Sequence, residues 1–266
     1  MRAATLFRRD DLVFVGLFAS MVVLAWLALS LWSGSPYGRY LDHGSWLELG
    51  RLAAICEATP GGDVIVPMAL HAGAWLLMCA AMMLPTALPL LMIWRRLISG
   101  RPDRRLLMGL VIAGYLAVWG GFGLAAHLAD AGLHRLVAVN AWLAHNGWVF
   151  GVVTLGVAGL FQFSRLKDLC LDGCRSPLGF AMQAWRGGAS RRRAWWLGVR
   201  HGAYCLGCCW ALMLLMFVVG MGSIGWMLLL AAVMAAEKNL PWGHRLTKPV
   251  GAALLVAAAF VAGAGV

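Results

Sequence analysis

Long apolar runs restrict what this sequence can fold into more than any motif does. The first, Leu12 to Trp32, gives about 20 residues without a break, enough for a helix to cross a bilayer. Six more can be drawn at about residues 71–93, 106–126, 147–164, 201–219, 222–236 and 250–266. Hydrocarbon offers the backbone no hydrogen-bond partners, so runs of this kind must pair their own amides, as helices do. Composition points the same way. The chain is 62% hydrophobic and 12% charged, whereas soluble domains carry about 25% charge. Its mean hydropathy is +0.78. A soluble fold would lack the polar side chains to cover its outside. The 14 tryptophans suit the bilayer interface. The expected class is all-α: a polytopic transmembrane helical bundle of about seven helices, one membrane domain over residues 1–266. The first run is too long for a signal core and no convincing cleavage site follows it, so it reads as a retained helix.

The charge has a side. Of the 22 Lys and Arg, all but Arg39, Arg51 and Arg135 fall in segments 1–11, 94–105, 165–200 and 237–249, which are alternate gaps between the runs. The positive-inside rule then places the N-terminus in the cytoplasm and the C-terminus outside. A multi-pass protein of a bacterial inner (cytoplasmic) membrane is expected, with an outer loop at 33–70 and a basic cytoplasmic loop at 165–200. The net charge of +11 reads as a face on anionic lipid, so the bilayer is the expected partner and nucleic acid is not. No transporter-type internal repeat and no linker divides the chain. Gly220 and Gly222 suggest a tight join between the fifth and sixth helices. Pro85 and Pro89 should kink the second and free carbonyls that something nearby must satisfy. In the outer loop, WLELGRLAAICEATPGG suggests a surface helix ended by Pro60, with Cys56 as a buried thiol or an intermolecular contact.

The stretch HGAYCLGCCWALMLLM, residues 201–216, carries thiols at the mouth of an apolar run. On a helix His201, Cys205, Cys208 and Cys209 stand at i, i+4, i+7 and i+8, one face about 100° wide. In the preceding basic segment Cys170 and Cys174 are i, i+4. Cytosolic thiols stay reduced, so metal or redox chemistry is favoured over a structural disulfide. Thiolates with an imidazole nearby suit Cu(I), Zn(II) or an iron–sulfur cluster. Lys167, Arg175 and Arg200 add positive charge that favours thiolates. Cysteine as a small packing residue is the bland alternative, and it is the reading for Cys79. Soft ligands and 14 methionines tilt the metal toward copper, with zinc or iron as alternatives. Met78, Met82, Met83, Met213 and Met216 could line a path, or simply fill a core. Glu237 could pair with Lys238 or accept from a ligand histidine.

A second group lies on the outer side. His127, Asp130 and His134 stand at i, i+3 and i+7 and share a face if the third helix runs past the bilayer. Asn140 and His145 follow. Imidazoles with a carboxylate suit Cu(II), Zn(II) or Fe(II). The Asp130–His134 spacing resembles the metal site in the third subunit of copper membrane monooxygenases, although the gap to the last histidine is shorter. A polar helix end, with Asp130 paired to Arg135 or His134, is the alternative.

The blocks CLDGCRSPLGF, GVRHGAYCLGCCWALMLLMF and AAMMLPTALPLL resemble a bacterial family of predicted metal-binding integral membrane proteins, a domain of unknown function. The similarity runs from about residue 75 to 245. It implies a membrane protein with a metal site at Cys170, Cys174, Cys205, Cys208 and Cys209, and Glu237–Lys238 match the family's EK block. The expected function is handling of copper, with Cu(I) bound by the cytoplasmic-side cysteines for delivery, buffering or export. A metallochaperone, a partner membrane subunit or a second copy of the chain would be its partner. The chain has no phosphate-binding loop or acidic phosphorylation motif, so no ATP-driven pump lies within it. The alternatives are a subunit of a monooxygenase-like oxidoreductase using the outer His/Asp group, and a structural protein stapled by metal.

Overall fold

A computed structural model describes residues 9–34, 65–185, 188, 190–219 and 223–264. The expected surface helix around Cys56 and the glycine join at 220–222 lie outside the described residues. Within them the regular structure is entirely helical: α1 (Arg9–Ser33), α2 (Ile65–Met82), α3 (Leu88–Leu97), α4 (Arg104–Val139), α5 (Ala141–His145), α6 (Trp148–Phe161), α7 (Arg165–Cys174), α8 (Pro177–Trp185), α9 (Arg191–Val219), α10 (Ile224–Asn239) and α11 (Thr247–Ala264). Short 3-10 turns at Leu84–Ala87 and Gly243–Leu246 join α2 to α3 and α10 to α11.

Hydropathy alone draws seven spans, and the helices differ from that count. Four are long and apolar enough to cross a membrane: Asp11–Ser33, Arg104–Val139, Arg191–Val218 and Gly243–Ala264. Up to six are present if each bent pair is one span, α2 with α3 (47°) and α6 with α7 (66°). The sixth apolar run is α10, whose 16 residues rise only about 24 Å, short of a hydrocarbon core of about 30 Å. The basic segment 165–200 also differs from the expected loop. It holds α7, α8 and the opening turns of α9, which starts at Arg191 rather than near His201. Ser164 starts α7 by accepting from Lys167 N at 3.1 Å, an N-cap that satisfies one orphan amide. Pro177 opens α8, a position where its missing N–H costs nothing.

Helix α4 forms the axis of the bundle with α9. Cβ atoms added at Gly198 or Gly114 would overlap backbone of the opposite helix, at Val111 O and Trp195 O respectively. Glycine at these two places lets the helices touch backbone to backbone, the small-residue seam of membrane bundles. The pairs Val111–Gly198 and Tyr115–Gly202 advance together, so α4 and α9 run parallel. Against α9, α7 runs the other way, with Cys170 beside Gly207 and Tyr204 filling the space over Gly173. Helix α2 is antiparallel to α4: Trp75 donates to Trp119 O at 2.8 Å, and Tyr115 donates to Met83 O at 3.1 Å. These directions are those of a chain threaded back and forth.

Pro85 and Pro89 break the second run as expected, and the carbonyl of Met83, at the break, is met by three donors. Met83 O accepts from Thr86 N (3.1 Å), Thr86 Oγ1 (2.7 Å) and the Tyr115 hydroxyl. The break thus turns Met83 inward at the level of the α9 cysteines. At the near end of α1, Asp11 takes Arg95 at 2.6 Å and Arg96 at 3.3 Å, closing α1 onto α3. The outward faces carry large apolar side chains, among them Leu17, Leu31, Leu160 and Phe260.

Candidate metal centre

The helical phase of the α9 cysteines survives folding. His201, Cys205, Cys208 and Cys209 form one buried face, and Met213 and Met216 extend it inward. The face is buried because the glycine seam presses α9 onto α4 on one side and α7 onto it on the other. At Gly207 an added Cβ would stand 2.5 Å from Cys170 Sγ, so the missing side chain makes room for a sulfur of α7. One turn on, Cys174 Sγ lies 3.8 Å from Cys208 Sγ, and the Cys174 side chain also interacts with Cys205. Cys174 and Cys208, from the two sequence blocks, are therefore in contact.

On the far side of α9 the sulfurs continue. Cys209 Sγ lies 3.7 Å from Met83 Sδ, and the Tyr115 hydroxyl lies 2.9 Å from Cys205 Sγ. Cys208 and Cys209 each donate S–H to Cys205 O, at 3.1 and 2.8 Å. Met78, Met82, Met213, Met216, Met227 and Met234 are buried in the same core. The last two, on α10, escaped the sequence reading; their signal was the helical spacing of Met227, Leu230 and Met234.

Into this sulfur layer projects an ammonium. Lys238 Nζ lies 2.9 Å from Cys205 Sγ, 3.5 Å from Cys209 Sγ, 3.7 Å from Met83 Sδ and 3.5 Å from Thr86 Oγ1. Of the two roles open to Glu237, pairing with Lys238 or accepting from a ligand histidine, neither is what forms. Glu237 instead pairs with Lys167 at 2.7 Å, with both side chains almost fully buried. Adjacent residues of a helix point about 100° apart, so one faces α7 while the other faces α9. Arg175 donates to Glu237 O (2.6 Å) and Pro241 O (3.0 Å), satisfying carbonyls at the end of α10. The position after Cys174 thereby fixes the residue before Lys238. That link joins the CRSP and EK segments in space.

His201, the imidazole expected beside the thiols, is buried on their face of α9. Its ring stacks on Tyr115 (centroids 6.0 Å apart) and meets the edge of Phe180 (5.6 Å), and its buried Nδ1 has no hydrogen-bond partner. Cys79 is buried in mid-helix, as packing would have it. In this arrangement no three His, Cys, Asp or Glu side chains among the described residues are gathered as a ready ligand sphere. The ammonium of Lys238 occupies the point between Cys205 and Cys209.

The outer group is differently disposed. α4 does run on, unbroken for 36 residues, so His127, Asp130 and His134 share one helix. The His134 side chain lies outside the described residues. Asn140 caps α5, accepting from Trp142 N and Leu143 N. His145, exposed at the end of α5, has Nδ1 2.8 Å from Ala141 O.

What such a layer can do follows from its chemistry. Thiolates and thioethers are soft donors that prefer monovalent copper to hard cations. One ion holding two thiolates at about 2.3 Å each can bridge sulfurs up to about 4.6 Å apart. The 3.8 Å between Cys174 and Cys208 falls within that reach. A family model described as "PpoB2: Copper chaperone" matches residues 72–261, more than half of the chain and all the helices that build this layer. No curated protein and no solved structure matches.

Proposed function

The chain belongs to the PpoB2 family, described as copper chaperone, and on that premise we propose that it binds Cu(I) as cargo within a membrane-embedded helical bundle. The carrying observation is the Cys174–Cys208 contact of 3.8 Å, which joins sulfurs from two helices at a separation one ion can bridge. Copper arrives at this pair, which lies at the α7–α9 edge of the sulfur layer, while Cys205, Cys209 and Met83 lie deeper. The bundle sits in a bacterial inner membrane with its leucine-rich outer faces against lipid, since an aqueous phase would not tolerate them. The basic ends of α3 and α9 face the cytoplasm by the positive-inside rule, and the cysteine layer lies near that side. Copper then passes to or from a metallochaperone or a partner membrane subunit.

A purely structural staple is the weaker reading. The helices that a metal would join are already fastened by the buried Lys167–Glu237 pair and by Arg175. The unbroken course of α4 keeps a second reading open, in which His127, Asp130 and His134, with His145, bind a catalytic metal of an oxidoreductase subunit.

One titration separates them. Reduced, full-length protein in detergent is loaded with Cu(I) against bicinchoninate, beside the double variant Cys174→Ser/Cys208→Ser and the single variant His134→Ala. The cysteine variant should bind copper about a hundredfold more weakly, a loss of about 2.8 kcal/mol, and His134→Ala should match wild type. Unaltered binding in the cysteine variant would overturn the proposal, and a loss confined to His134→Ala would favour the oxidoreductase reading.

A further inference from the structure

We propose that Cys205, Cys209 and Met83 form a second copper position, deeper than the Cys174–Cys208 pair, which the ammonium of Lys238 holds until cargo displaces it. This rests on the copper-handling reading and adds to it a second site and a gate.

The geometry is that of a cation surrounded by sulfur. Three sulfurs from two different segments stand 2.9, 3.5 and 3.7 Å from one nitrogen, with the Thr86 hydroxyl at 3.5 Å completing the shell. An ammonium buried to 6% exposure is costly unless its charge is compensated. Its hydrogen-bond contacts are those sulfurs and the hydroxyl, while the nearby carboxylate of Glu237 is engaged by Lys167. The lysine has thus been directed to the thiols in preference to the adjacent acid. A copper ion at the nitrogen's position would require each sulfur to move in by roughly 0.6–1.4 Å to reach a bond of about 2.3 Å. Side-chain rotation supplies that much at Met83, whose thioether is flexible.

Two cations cannot share the point, so binding there is a competition. Lys238 must swing out before the second ion enters, and the apparent affinity falls by the fraction of time it is out. Cargo on the outer pair is therefore held apart from the inner position by a removable charge rather than by a wall. Cys208 and Cys209 are neighbours on α9, and both side chains interact with that of Cys205. A ligand exchange from the outer pair to the inner position therefore needs no free ion.

The test is a Cu(I) titration of reduced, full-length protein in detergent, with bicinchoninate as competitor, on wild type, Lys238→Leu and Met83→Leu. Wild type should take one tight and one weaker equivalent. Lys238→Leu, which removes the competing charge and adds no metal ligand, should hold the weaker one at least about tenfold tighter. Met83→Leu, which preserves bulk but removes the thioether, should weaken that equivalent and leave the tight one alone. X-ray absorption of the doubly loaded protein should lose one sulfur neighbour per two coppers in Met83→Leu. Should Lys238→Leu fail to elute as a monodisperse species, the Met83→Leu titration and its absorption spectrum decide by themselves. The inference is overturned if wild type binds a single equivalent insensitive to Met83→Leu, or if Lys238→Leu weakens or does not change the second. Absence of any copper binding by wild type would remove the proposed function as well, so the two failures are distinguishable.

Discussion

The Arg175 guanidinium donates to the backbone oxygen of Glu237 at 2.6 Å, across 62 positions of sequence. With the Lys167–Glu237 ion pair at 2.7 Å, it clamps α7 to the end of α10 on both sides of one residue. The clamp sets the height at which Lys238 leaves α10, and so where its ammonium meets the cysteines. Stability and cargo chemistry are joined at this clamp, which leads to the first prediction.

Lys167→Met leaves a buried carboxylate without its counter-charge and should destabilise the protein by about 3–5 kcal/mol. Lys167→Met combined with Glu237→Gln should recover most of that loss, because no unpaired charge remains. Thermal unfolding in detergent, followed by loss of the monodisperse peak, reads both. A double variant no better than the single would mean that the pair is not acting as a buried ion pair.

Gly198→Ala places a methyl against the Val111 carbonyl and should force α9 away from α4. The expected cost is about 1–3 kcal/mol, as for other overpacked sites, together with weaker Cu(I) binding as Tyr115 moves off Cys205. Gly109→Ala on the same helix α4 meets nothing within 4 Å. It should be neutral or stabilising by up to about 1 kcal/mol through helix propensity. Equal melting of the two variants would refute the backbone contact.

Diamide should couple Cys174 to Cys208, since their sulfurs are in contact, with the two thiol hydrogens passing to the reagent. Peptide mapping should recover that cross-link while Cys79, buried away in α2, stays alkylatable after unfolding. Prior Cu(I) loading should protect the pair. A different cysteine pairing as the main product would place α7 wrongly against α9.

Cargo binding to the folded state alone raises stability by mass action, about 2.7 kcal/mol at a free concentration one hundred times Kd. Cu(I) buffered at that level should therefore raise the melting temperature of wild type. The stabilisation should fall to about 0.4 kcal/mol in Cys174→Ser/Cys208→Ser, whose Kd then equals the free copper concentration. A shift of the same size in both proteins would locate the binding elsewhere.

Much of this was legible from local pattern. Apolar runs predicted helices because hydrocarbon-length stretches leave no other way to satisfy a backbone, and the described part of each run is helical, the second being broken into two helices at its prolines. The i, i+4, i+7, i+8 spacing of His201, Cys205, Cys208 and Cys209 predicted a common face because the helical repeat is a property of the chain itself. The break at Met83 was readable too, since proline removes a donor wherever it stands.

What the sequence by itself determined is therefore which residues share a helix and a face. Tertiary structure alone decided which faces meet, and at what height. It sent Lys238 to cysteines 33 and 29 positions away and Glu237 to Lys167, 70 positions away, although Glu237 and Lys238 are neighbours in sequence. It drew Met83 into the sulfur layer and seated His201 between Tyr115 and Phe180. The physical reason is that partners across helices depend on register, which glycine contacts such as Gly198 on Val111 and Gly207 under Cys170 establish over long sequence separations. A helical period carries no information about the neighbour it will touch.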